Sequence, residues 1–97
     1  MHVIQLSERS HLVLDDTVRP RWLIVEGPMV RRETGETHLV HRVEWWHRDP
    51  KRRHIVAVCE GMVAARTWCA AEIDRVRKDQ EALSDQLDIR KQFPGSR

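Results

Sequence analysis

No apolar run in this 97-residue sequence approaches the roughly 18 to 20 residues that a membrane-spanning helix needs. The opening MHVIQLSERS also lacks the basic region and long apolar region of a secretory leader, so the expected location is cytoplasmic. Cysteine is scarce. Cys59 and Cys69 are the only two, and they lack any CxxC or CxxH spacing. Each therefore reads as a reduced, small buried hydrophobe rather than as a disulfide partner or nucleophile. Four glycines and four prolines beside 40% apolar residues argue for a folded chain rather than a low-complexity one. Nucleotide and catalytic signatures are missing as well: there is no Walker-type loop, GxGxxG, GxSxG or HExxH. The expectation is a protein that is not an enzyme, with no cofactor and no small-molecule substrate.

Histidine is present but badly spaced for metal. In an extended strand His38 and His41 face opposite ways, and His41 and His47 share a face about 20 Å apart. No metal ligand is assigned.

At this length one domain is expected over residues 1–97, near the lower end of sizes that bury a self-sufficient core. A partner surface would add to its stability. Charge is uneven: residues 1–16 carry −2, residues 17–56 carry +4, and residues 57–97 balance. The basic excess sits mid-chain, where it reads either as ordinary solvated surface or as an anion footprint.

Residues 1–16 hold two short apolar runs, Val3–Leu6 and Leu12–Leu14, around a polar spacer, and read as short strands or an N-terminal arm. Residues 21–59 read as antiparallel sheet. Trp22 to Arg32 is rich in β-formers at its start, but Gly27-Pro28 places it at an edge or at a bulge. Glu33-Thr34-Gly35-Glu36 signals a hairpin loop. Thr37 to Arg48 then alternates, with Leu39, His41, Val43, Trp45 and His47 on the expected core face and His38, Val40, Arg42, Glu44, Trp46 and Arg48 opposite. Asp49-Pro50 begins a basic turn. His54 to Cys59 lacks a polar face, which predicts cover on both sides.

Residues 62–92 read as one long helix that begins near Gly61 and stops at Pro94-Gly95. Its apolar positions Met62, Ala65, Cys69, Ile73, Val76, Leu83 and Leu87 recur at helical spacing, and a break at Ser84-Asp85 is one alternative. Thirty helical residues span about 45 Å, against roughly 23 Å for a seven-residue strand. The second half of the helix must overhang, fold back or meet another chain. The fold class is thus α+β: an antiparallel sheet of three to five strands packed against one long C-terminal helix.

The run from Glu44 to Arg53, the strand His54 to Cys59 and a helix bearing Ala64, Ala65, Trp68 and Ala71 resemble part of a known DNA-binding domain. It is the three-stranded-sheet-plus-helix domain of plant ethylene-response factors and of phage tyrosine integrase N-termini. The resemblance implies a sheet face that enters the major groove, with Arg42, Trp46 and Arg48 reading bases and Lys51, Arg52 and Arg53 near phosphates. In style the chain is also similar to the small accessory proteins of actinobacterial phages, many of which bind a host protein. Val40 and Trp46 make the candidate DNA face partly apolar, however, and apolar patches mark protein partners more often.

The leading expectation is accordingly a protein–protein interaction module, with a homodimer or another protein as partner. Its interface would use Trp46 on the sheet, or Val76, Leu83 and Leu87 on the helix. The alternative is nucleic-acid binding through Arg42, Trp46, Arg48 and residues 51–53.

Overall fold

A computed structural model describes residues 1–92, with side chains described through Leu83. Five strands, β1 (His2–Ser7), β2 (Ser10–Leu14), β3 (Pro20–Val30), β4 (Thr37–Trp45) and β5 (Ile55–Cys59), form one antiparallel sheet in chain order. The helix α1 (Met62–Gln92) follows and lies across one face. The fold is α+β, as the sequence predicts, and residues 1–16 join the sheet rather than forming a free arm.

Each connection has a local cause. The β2–β3 turn is built on Asp15, whose carboxylate accepts from Thr17 N–H (2.9 Å), Thr17 Oγ1 (2.6 Å), Arg19 N–H (3.0 Å) and Arg21 Nε (2.8 Å). Burial alone would raise the pKa of this carboxyl. The hydrogen bonds from Thr17, Arg19 and Arg21 outweigh that and hold it well below the usual carboxylate range. The turn also forces Val18 to a φ of +62°, a left-handed conformation that a β-branched residue adopts only under strain. In the β3–β4 loop Gly35 takes φ +71° without that cost. Between β4 and β5, Asp49 caps a single 3₁₀ turn at Pro50–Arg52 by accepting from Lys51 N–H at 3.0 Å, which fulfils the Asp-Pro turn expectation.

β3 is the central strand, so the edge predicted from Gly27-Pro28 needs a correction, and the register supplies it. β2 pairs with β3 only as far as Val25, and Glu26 N–H reaches Arg9 O just beyond, at 2.8 Å. Two residues on, Pro28 would direct its missing N–H to that same side, past the end of β2. The strand is central in its first half and an edge in its second, and proline sits where no donor is called for.

Two cross-strand rows face the helix: Val3, Val13, Trp22 and Trp45, then Gln5, His11, Ile24, Val43 and Ala57. Val13, Trp22, Ile24 and Val43 are buried there against Ala65 and Cys69 of α1, with Met62, Trp68 and Ile73 packed around them. Alanine and cysteine at the contact let the helix approach closely. Cys69 is fully buried and its thiol is pushed up to about 12, by burial first and by the neighbouring Cys59 and Glu72 second. The three tryptophans meet edge-to-face, Trp22 lying 5.7 Å from Trp68 and 6.5 Å from Trp45 between ring centroids.

The expected core face of β4 holds only in part. Val43 is buried, but Leu39 is 61% exposed and Trp45 40% exposed. The end of β4 bearing Leu39 runs past Ser10, where β2 begins, and Cys59, where β5 ends, beyond the cover of α1. On the opposite face Val40 is buried instead, at 1% exposure. Arg42 lies alongside it across bare Gly27, its Nη2 standing 3.3 Å from where a Cβ of residue 27 would be.

Candidate interaction surfaces

The face of the sheet away from α1 carries two further rows. Ile4, Leu12, Leu23, Glu44 and Ile55 cross all five strands in register, and Ser10, Val25, Arg42 and Val58 cross four. Strands of period two put every second residue on this side, and no element of the described chain packs over it. Ile4, Ile55 and Val58 remain 47%, 50% and 46% exposed. The lack of a polar face predicts cover on both sides of β5. It is covered on one: a register shift between Val43 and Glu44 lets Val56 and Ala57 both pack towards the helix and turns Ile55 outward.

The surface is not wholly apolar. Arg42 and Glu44 are the only ionisable side chains in these two rows, both half-buried. The Nε of Arg42 is buried without a hydrogen-bond acceptor, and among the described residues neither side chain has an ion-pair partner. A buried donor left unpaired is costly, so the pair stands out in rows whose other members are aliphatic apart from Ser10.

The second candidate is the β4–β5 connection. Trp46 lies just past β4, half-buried, with its N–H donating to Arg21 O at 2.9 Å. The Arg53 guanidinium sits 4.3 Å from the centre of the Trp46 ring, and Arg53 Nε also donates to His47 O at 2.8 Å. Trp46 and Arg53 thus brace the loop, while Arg48, Lys51 and Arg52 are exposed. Of the six residues expected to contact nucleic acid, Arg42 lies mid-sheet beside Val40 and the other five lie in or next to the β4–β5 turn.

The third is a cleft of about 510 Å³ where α1 passes the β2–β3 turn. Trp22, Trp45, Ile73 and Val76 provide its apolar lining and Arg19, Arg21, Arg75 and Arg77 its basic groups. Most of those charges are already matched: Arg21 pairs with Asp15, Arg75 with Glu72 and Asp79, and Arg77 with Asp74. Lys78 also reaches Asp74, at 3.1 Å. Beyond the cleft α1 leaves the sheet, and Leu83 is 60% exposed. Val76 is half-buried at the cleft, whereas the side chain of Leu87 lies outside the described residues.

Among the described residues no three His, Cys, Asp or Glu side chains converge as metal ligands, and no helix is long and apolar enough to cross a membrane. The chain matches no family model, no curated protein sequence and no solved structure.

The sequence reading names Trp46 and the basic turn as candidates and does not name the two rows of the open face. The signal was present in Ile4, Leu12 and Leu23. These residues share a face only once strand register is known, and register between separate strands is not written in any one of them.

Proposed function

We propose that this is a non-enzymatic binding protein that acts through protein–protein interaction, with the open sheet face as its contact surface. The observation that carries the reading is the pair of largely aliphatic rows in which Leu23 is buried among its neighbours but Ile4, Ile55 and Val58 are about half exposed, with no described element packed over them. An antiparallel sheet commonly keeps one face in water, but that face is then polar. An aliphatic one is removed from water by association, at about 25 cal/mol per Å² of apolar surface. The similarity in style to phage accessory proteins is compatible with an accessory or host-modulating role. The cleft beside α1 is a weaker candidate, since most of its charged groups neutralise one another.

Tagged protein expressed in the cells that produce it tests this reading by affinity capture. An Ile55→Glu, Val58→Glu variant is expected to lose whatever chain the wild type retains, whether foreign or a second copy. An identical captured set from both overturns it.

A nucleic-acid reading draws on the exposed Arg48, Lys51 and Arg52 around Trp46. Its test is a mobility-shift titration over a salt series, in which phosphate contacts would weaken steeply with salt. No shift at low salt removes it.

A further inference from the structure

The geometry points to a second copy of this chain as the occupant of the open sheet face, an inference that rests on the interaction surface proposed above. The two copies pack face to face, and Arg42 of each is matched by Glu44 of the other.

Self-complementarity is the argument. Arg42 and Glu44 are opposite charges on the same side of β4, two residues apart, with an apolar row attached to each. Consider a two-fold axis in the plane of the interface that crosses β4 at right angles between them. It carries Arg42 onto Glu44 of the second copy and Glu44 onto its Arg42. The same rotation lays the row of Leu23 and Ile55 over the row of Val25 and Val58, aliphatic against aliphatic. An isologous dimer needs this property, because one patch must serve both sides. Few foreign partners would require the two charges to be adjacent and otherwise unmatched.

Two aligned sheets pack about 10 Å apart with their strands turned by roughly 30°, a spacing that aliphatic side chains of this size fill. The charge pair then does what such pairs do best in an apolar interface. It fixes register and orientation while contributing little net affinity. Five strands about 4.8 Å apart, each giving about five residues, make a face of roughly 400 Å² in projection. The pair of copies therefore removes on the order of 1,000 Å² from water, near the lower limit for a specific interface. A reversible, concentration-dependent dimer follows, rather than a permanent one.

Sedimentation of the purified chain from micromolar to near-millimolar concentration tests this directly. The expected mass rises towards twice that of the 11.5 kDa chain. Arg42→Glu alone and Glu44→Arg alone each place like charges in contact and are expected to weaken the dimer at least about tenfold. An equimolar mixture of the two variants should re-form it as a heterodimer. The double variant carrying both substitutions should re-form it as a homodimer. Far-UV circular dichroism on every variant confirms that the sheet is intact, and the recovery arms guard against a variant that merely fails to fold.

A wild type that stays monomeric throughout overturns the second copy and leaves the sheet-face reading to the capture experiment. A dimer indifferent to both single reversals and to Ile55→Glu, Val58→Glu places the interface elsewhere and also overturns it. Single reversals that dissociate the dimer with no recovery on mixing overturn the reciprocal pairing.

Discussion

The two faces of the sheet are made from similar residues and are covered to different extents. Facing α1, Val13, Ile24 and Val43 are at 0% exposure. Across the sheet, Leu23 and Val40 are buried among their neighbours, but Val25 is only half-buried and Val58 is exposed, although they occupy the same strands as Ile24 and Ala57. The difference is the helix. α1 buries one face with a stripe of Ala65, Cys69 and Ile73 and then runs on beyond the sheet instead of turning back over the other. The chain supplies one cover for two apolar faces. A five-stranded sheet of this composition is a half-built sandwich: among the described residues α1 packs on the inner face and no element packs on the outer.

The comparison breaks most decisively if an inner residue proves dispensable. Ile24→Ala is expected to cost about 2–5 kcal/mol in urea unfolding, because a cavity opens under α1. A loss below about 1 kcal/mol would mean that the helix is not the cover described.

Asp15→Ala should cost about 1–3 kcal/mol, since it strips an acceptor from donors of the β2–β3 turn that binds the two faces' rows into one sheet. This carboxyl has a folded pKa below its unfolded value. Its stabilisation is therefore present above the ordinary value of 3.8 and is lost as pH falls from there towards the folded pKa. Unfolding of wild type and an Asp15→Asn variant through that acid range should converge as the pH drops.

Val18 belongs to neither face, so relieving its positive φ separates folding from association. Val18→Gly is expected to raise the unfolding free energy by about 1 kcal/mol with no change in oligomeric mass.

The smallest effect sharpens the contrast furthest. Ile55→Thr with Val58→Thr should alter monomer stability by no more than about 0.5 kcal/mol each, measured at a concentration where the chain is dissociated. The same double change should weaken association, as read by sedimentation.

Much of this architecture was legible in the sequence because the signals were local. The helix from Met62 to Gln92 follows from its composition and flanking glycine and proline, and its overhang follows from arithmetic on strand and helix lengths. The Asp49-Pro50 turn and the Glu33–Glu36 hairpin loop are likewise matters of a few adjacent residues. What escaped was non-local. Leu39 belongs to the expected core face and is exposed because the β3–β4 ribbon runs on past β2 and β5, a fact about those strands rather than about Leu39. Val40 was placed on the outer face and is nonetheless buried, because Arg42 folds over the gap left by Gly27 on another strand. The register shift at Val43/Glu44 broke the strict alternation on which the reading of β5 depended. Of the candidate site residues, Trp46 and Arg53 come together through a contact seven residues apart, and Arg42 lies between its cross-strand neighbours Val25 and Val58.

Pro28 has a consequence for the fate of the protein at high concentration. The second half of β3 is a bare ribbon edge, and bare edges recruit further strands from other molecules into open-ended stacks. A proline there withholds one donor and interposes its ring, so a strand approaching from that side cannot complete its ladder. The chain thereby distinguishes two kinds of contact: side-chain packing across the open face, which in the proposed dimer would close after two copies, and backbone pairing along an edge, which would not close at all.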